Sequence, residues 1–215
     1  MTLGGVSRLG ILGGTFDPIH LGHLVIAEEA RLQLSLDCVL FVPTGQPYLR
    51  TSQPHAGAQQ RLAMVRLAVQ DNPSFEVSTV EVDREGPTYS VDTLLELRAQ
   101  CGHGTALFFI IGQDSLNDLP RWQRPQELVS LCTLVVAPRP GIRPVQEDIA
   151  RSPVPGVAAG AHILRSPLVG ISGTELRRRI RAGVSLRYWV TPAVEEYIRA
   201  NRLYRNDPPT AGGRR

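Results

Sequence analysis

Eleven residues near the start of the chain, Gly13-Gly14-Thr15-Phe16-Asp17-Pro18-Ile19-His20-Leu21-Gly22-His23, hold the densest set of groups able to do chemistry. Two glycines directly after the apolar run Val6 to Leu12 let main chain approach a ligand closely, and the amides of Thr15 and Phe16 can then donate to phosphate oxygens. His20 and His23 stand three apart at the mouth of a helix, so both rings can face one spot once that turn is helical. Imidazoles at a helix N-terminus suit a phosphoryl oxygen that gains charge, each charge-assisted bond being worth roughly 1.5–3 kcal/mol. A structural turn would explain either histidine alone, but not the glycines, the helix start and both histidines together. Zinc would need further ligands from Asp17 or from distant residues. There is no cysteine cluster or His-Glu motif, and Cys101-Gly102-His103 has the wrong spacing, so no protein-bound metal is expected.

A second constellation, Ile171-Ser172-Gly173-Thr174-Glu175-Leu176-Arg177, places two hydroxyls and an arginine on the first turn of another helix, an arrangement that can hold a polyphosphate. By itself it would be a capped helix with a basic solvated face (Arg177, Arg178, Arg179, Arg181); beside the first motif it reads as an anion site. All 23 basic residues are arginine. The missing lysine excludes a Walker A loop and Schiff-base chemistry. No serine sits in a Gly-x-Ser-x-Gly elbow and no cysteine has an activating partner, which disfavours a covalent nucleophile.

The elements that must position these groups alternate. Val6 to Leu12, Cys38 to Val42, Ala106 to Ile111 and Leu131 to Val136 read as buried strands, Phe75 to Val82 as a half-exposed one, and Ile163 to Val169 as a last strand. Between them, His23 to Leu34 and Gln59 to Gln70 carry apolar residues at helical spacing, and Ser90 is the expected N-cap of a helix with Leu94, Leu97 and Cys101. Ser172 should cap a helix running to about Arg181, and Thr191-Pro192 should start the final one. The stretch from Pro138 to Pro155, with five prolines, reads as irregular surface chain. Strands alternating with helices predict an α/β fold with an open, mostly parallel sheet covered on both faces. In such a sheet ligands bind beyond the carboxyl ends of the strands, where strand order reverses, so Gly13-Gly14 and Gly112 should share one crevice. Residues 1–205 read as one domain, and 206–215 as a disordered tail.

At 42% hydrophobic residues the 215-residue chain can bury a real core. A net charge of +3 is too small to suggest nucleic acid as a partner but leaves room for a smaller anion. Cys38, Cys101 and Cys132 cannot form a closed set of disulfides, which predicts a reduced, cytoplasmic protein. No apolar stretch approaches the roughly 20 residues that cross a bilayer, and the N-terminus has no signal-peptide apolar run. Homo-oligomerisation is left open.

Gly13 to His23 resembles the GGTFDPxHxGH signature of the HxGH nucleotidyltransferase superfamily, and Ile171 to Arg177 resembles its ISxTxxR partner motif. Within that superfamily, Pro43 to Pro47, Gly86 to Leu94, Ile111 to Leu116, Leu119 to Trp122 and the closing Val194 to Tyr204 segment look like bacterial nicotinate-nucleotide adenylyltransferase. The resemblance, over about residues 7–205, implies a Rossmann-like fold that moves AMP from ATP to nicotinate mononucleotide, with magnesium, by direct in-line displacement. It makes His20, His23 and Arg177 the catalytic group. It places ATP against Gly13, Gly14, Thr15, Phe16, His20, His23, Gly112, Asp114, Ile171, Ser172, Thr174 and Arg177. The mononucleotide falls to Thr44, Gln46, Arg50, Thr88, Tyr89, Trp122 and Gln123, with Trp122 stacked on the pyridine ring. Thr88, Tyr89 and the backbone around Trp122 and Gln123 would meet the nicotinate carboxylate.

One segment departs from the pattern. Where the family usually continues with Pro-His-Lys or Pro-His-Arg, this chain has Tyr48-Leu49-Arg50; Arg50 keeps a cation, but leucine lacks a histidine's hydrogen bonds, so either that loop's role is weaker here or His55 substitutes. Another adenylyl- or cytidylyltransferase, such as one acting on phosphopantetheine, would not need the Thr88-Tyr89 and Trp122 segments. A nucleotide-sensing module without chemistry would predict decay of the histidines or of the Ser-x-Thr-x-x-Arg helix, and both are intact.

Overall fold

Apolar runs that end in glycine, proline or alanine become the strands of one sheet. The computed structural model describes residues 5–48, 54–102, 104–141 and 143–205. In chain order these form β1 (Arg8–Gly14), α1 (Leu21–Gln33), β2 (Cys38–Pro43), β3 (Gln46–Pro47), α2 (Ala58–Val69), β4 (Phe75–Val77), β5 (Pro87–Thr88) and α3 (Ser90–Cys101). There follow β6 (Ala106–Gly112), α4 (Gln113–Asp118), a 3₁₀ turn (Leu119–Arg121), α5 (Pro125–Leu131), β7 (Thr133–Ala137), α6 (Val145–Ala150), α7 (Val157–Gly160), β8 (His162–Ile163), α8 (Gly173–Arg181) and α9 (Pro192–Ala200).

Among the described residues the main sheet has six strands in the order β4-β2-β1-β6-β7-β8, every pair parallel. Parallel strands need crossovers, and the helices supplying them cover both faces. Period-two alternation divides the core accordingly. Val39, Phe41, Phe108, Ile110 and Val135 face the cluster holding Ala27, Met64, Leu176 and Val194, whereas Leu9, Ile11, Leu40, Phe109 and Val136 face Leu94, Leu97, Leu116 and Leu128. Strand order reverses between β1 and β6, so the carboxyl ends of these two central strands flank the switch-point crevice.

Four local expectations change. Pairing of the predicted 75–82 strand stops at Val77, because the chain beyond turns Glu81 inward to accept a hydrogen bond from Thr93 Oγ1 at 2.9 Å. The N-cap of α3 is Tyr89, extended at φ −115° and ψ 131°, with Ser90 already in the first turn. The last strand shrinks to His162–Ile163, and Pro167, which has no N–H to donate, interrupts the segment that follows. The 138–155 stretch contains α6, held through buried Asp148, whose carboxylate accepts from Gln113 Nε2 at 2.7 Å. Residues 206–215, read as a tail, lie outside the described residues.

Candidate active site

At the switch point a cavity of about 600 Å³ opens over the ends of β1, β6 and β7, within the size range of small-molecule sites. One end is built by two helix N-termini. After β1 the chain turns through Phe16, at φ 49°, and a cis Asp17–Pro18 peptide, then enters α1 with His20 as N-cap. His20 N donates to His23 Nδ1 at 3.2 Å, and His23 N donates to His20 O at 2.9 Å. The three-residue spacing thus closes half of a capping box: the His23 side chain accepts from the N-cap amide, while the reciprocal bond runs main chain to main chain. Accepting at Nδ1 puts the His23 proton on Nε2, leaving that N–H as a donor. The two rings stack with centroids 3.7 Å apart and planes at 25°, and Phe16 meets His23 edge-on at 5.0 Å. A β-carbon on Gly22 would lie 3.0 Å from His20 Nδ1, so the glycine between the histidines makes the room that the His20 ring fills.

Burial, reinforced by the Arg139 charge, pushes the His20 pKa down to about 4. Burial first, then His20 and Arg139, holds His23 well below the ordinary imidazole range. Both rings are therefore neutral at pH 7. His20 Nδ1 is buried without a hydrogen-bond partner among the described residues.

The second helix N-terminus is bonded to the first. Arg177 Nη1 donates to the Asp17 carbonyl at 2.6 Å and Arg177 Nη2 to Thr174 Oγ1 at 3.2 Å, while Ser172 Oγ caps α8 by accepting from Glu175 N at 3.2 Å. Asp17 is fixed in turn: its carboxylate, almost fully buried, accepts from His55 N at 2.9 Å and Ala56 N at 3.1 Å. His55 thereby steadies the loop from beneath and does not line the cavity. Arg61 joins three segments, donating to Thr15 O at 2.8 Å, Gly45 O at 3.0 Å and Ala56 O at 3.1 Å. Just beyond β7, Arg139 lines the cavity and forms an ion pair with Asp114.

The other end is aromatic and looser. Trp122 packs edge-on against Phe109 at 6.2 Å, Tyr48 lies against Tyr89 at 4.6 Å, and the Tyr48 hydroxyl accepts from Gln123 N at 2.8 Å. Beneath them Glu81 is buried and accepts from the Thr93 hydroxyl at 2.9 Å, and burial raises its pKa against the lowering effect of the neighbouring threonine hydroxyls. A β-carbon on Gly45 would fall 2.0 Å from the Glu81 carbonyl oxygen, so only glycine lets these two stretches of main chain touch.

A family profile described as "Cytidylyltransferase-like" matches residues 11–179. A relative from Thermomicrobium roseum, named "Probable nicotinate-nucleotide adenylyltransferase", is 46% identical over 201 residues, 93% of this chain and 92% of its own. A relative of the same name from Dehalococcoides mccartyi is 43% identical over 197 residues, 92% of this chain and 97% of its own. The chain belongs to the nicotinate-nucleotide adenylyltransferase family. Its fold is that of a solved structure titled "Plasmodium falciparum nicotinic acid mononucleotide adenylyltransferase complexed with NaAD", with TM-score 0.75 at 16% identity, covering 92% of this chain and 97% of that one.

Each residue that the family resemblance assigned to ATP lines the cavity: Gly13, Gly14, Thr15, Phe16, His20, His23, Gly112, Asp114, Ile171, Ser172, Thr174 and Arg177. Of the mononucleotide set, Thr44, Thr88 and Trp122 line it as well. Gln46, Tyr89 and Gln123 stand outside the lining, and Arg50 falls outside the described residues. Gln46 and Gln123 are exposed, and the Gln123 amide expected to meet the ligand is already bonded to Tyr48. Asp114 carries its own counter-ion in Arg139. Four residues of the site escaped sequence reading: Tyr48 as a wall, Arg61, Glu81 and Arg139. Arg139 carried the only signal, an arginine between prolines just after a buried strand.

Proposed function

We infer that this chain transfers the AMP moiety of ATP to nicotinate mononucleotide, forming deamido-NAD and releasing pyrophosphate, a step of NAD synthesis. The observation that carries the reading is the joining of two helix N-termini, through Arg177 and the Asp17 carbonyl, around one cavity whose far end is aromatic. A phosphate oxygen of the mononucleotide attacks the α-phosphorus of ATP; as that P–O bond forms, the bond to the oxygen bridging the α- and β-phosphorus breaks, and pyrophosphate leaves. No enzyme nucleophile is needed, and the protein contributes position and charge.

In this scheme Thr15 and Phe16 amides and the His20 and His23 rings receive the charge that develops around the α-phosphoryl group. Ser172, Thr174 and Arg177 hold the departing β- and γ-phosphates, and Arg139 adds a second guanidinium. Gly112 and Asp114 border the adenosine side; Trp122 and Thr88 border the pyridine ring, with Thr44 beside it. Magnesium belongs to this reading as a companion of the ATP phosphates. Among the described residues no group of three or more His, Cys, Asp or Glu could hold a metal ion. The three cysteines are free, which fits a reducing, cytoplasmic setting, and no helix among the described residues is long and apolar enough to cross a membrane. Residues 1–205 form the single catalytic domain of this reading.

The test is pyrophosphate release from ATP and magnesium with either nicotinate or nicotinamide mononucleotide. Turnover with a preference for nicotinate is expected. No turnover of either overturns the reading, and equal turnover overturns the carboxylate selectivity alone.

A further inference from the structure

Tyr48 stands where the family pattern has proline, and its phenol is unusually placed. It lines the cavity beside Trp122 and above buried Thr88. Its oxygen accepts from Gln123 N at 2.8 Å, and among the described residues nothing accepts its proton. The Trp122 indole N–H likewise has no acceptor among them, whereas the Thr88 hydroxyl is turned to the Gln46 carbonyl at 3.3 Å. Among the described residues, two side chains that line the aromatic end of the cavity thus carry uncommitted donors, and the Gln123 amide is taken up by the phenol oxygen.

We propose that Tyr48 is a specificity-determining residue that donates its phenol hydrogen to the carboxylate on the pyridine ring, relaying the Gln123 amide. This deepens the proposed function and rests on it. A carboxylate is acceptor-only and matches a donor whose own oxygen is already bonded; a carboxamide offers one acceptor and an NH2 that finds donors facing it. The bond that Gln123 N makes to the phenol oxygen polarises the O–H and strengthens its donation. Burial raises the Tyr48 pKa, so the hydroxyl stays protonated at physiological pH. The Tyr89 ring, at 4.6 Å and 59°, holds the phenol in place.

Tyr48→Phe tests this, because it keeps the ring and removes only the hydroxyl. Kinetics with each mononucleotide should show KM for nicotinate mononucleotide rising about ten-fold, as for a lost bond to a charged group, with the nicotinate-to-nicotinamide preference falling by the same factor. KM for ATP and the melting temperature should hold. An unchanged preference overturns the proposal. So does a lower KM for nicotinate mononucleotide, which would mean that the phenol blocks the Gln123 amide. Wild-type protein that turns over neither mononucleotide refutes the proposed function itself, a result distinct from a variant that behaves like active wild type.

Discussion

The two ends of the cavity are built differently. At the phosphate end, α1 and α8 are bonded to each other through Asp17 and Arg177, and buried Asp17 and Arg61 pin the loops behind them. At the pyridine end, Tyr48 and Trp122 are half-buried and rest on ring contacts and a single hydroxyl-to-amide bond. The difference follows from the task at each end. Charge that develops during reaction is best met by dipoles already in place, whereas a flat ring needs area and a few well-placed donors. Breaking the first end should therefore cost rate or stability, and breaking the second should cost affinity for one substrate.

The largest effect is expected from His20→Ala. It should lower kcat by about 100-fold or more while leaving both KM values near wild type; an unchanged kcat in steady-state assays would move the chemistry away from the histidine pair. Asp17→Ala strips the acceptor from the His55 and Ala56 amides, and thermal or urea melting should show a loss of about 1–3 kcal/mol. Gln123→Ala, which alters only an exposed rim side chain, should melt like wild type. Equal melting of the two variants would erase the contrast between the ends.

Trp122→Ala sharpens the other half of the comparison. KM for the mononucleotide should rise about ten-fold, in the range of a lost ring contact, with KM for ATP held; a matching rise for ATP would place the indole elsewhere. The last effect is a pH dependence of stability. Because the folded His20 pKa of about 4 lies below the unfolded value of 6.5, the unfolded chain binds the proton first. Stability from this group is full above pH 6.5 and falls as pH drops toward 4. Melting curves of wild type and His20→Asn should converge across that window; parallel curves would show that the ring is not held neutral.

The phosphate end was legible because its residues lie in two short segments whose chemistry needs adjacency: glycines, helix start and imidazoles in one, and a cap with an arginine one turn later in the other. The parallel sheet was legible for a similar local reason, since buried strands read as unbroken apolar runs. The pyridine end assembles from β3, β5 and the turn before Trp122, segments far apart in sequence, and no local pattern says which side chains meet there. Arg61 hid on a helix face where arginine ordinarily meets solvent, and Glu81 within an alternation that read as a half-exposed strand. The short helices α4 and α5 contain too few residues to display a helical period.

The most direct test of the account follows the phosphorus itself. With ATP labelled at the α-phosphorus, magnesium and nicotinate mononucleotide, the label should appear in deamido-NAD, the released pyrophosphate should be unlabelled, and no label should remain on the protein after denaturation. Label retained covalently on the protein, or the absence of a labelled dinucleotide, would contradict direct transfer between two substrates held across these two ends.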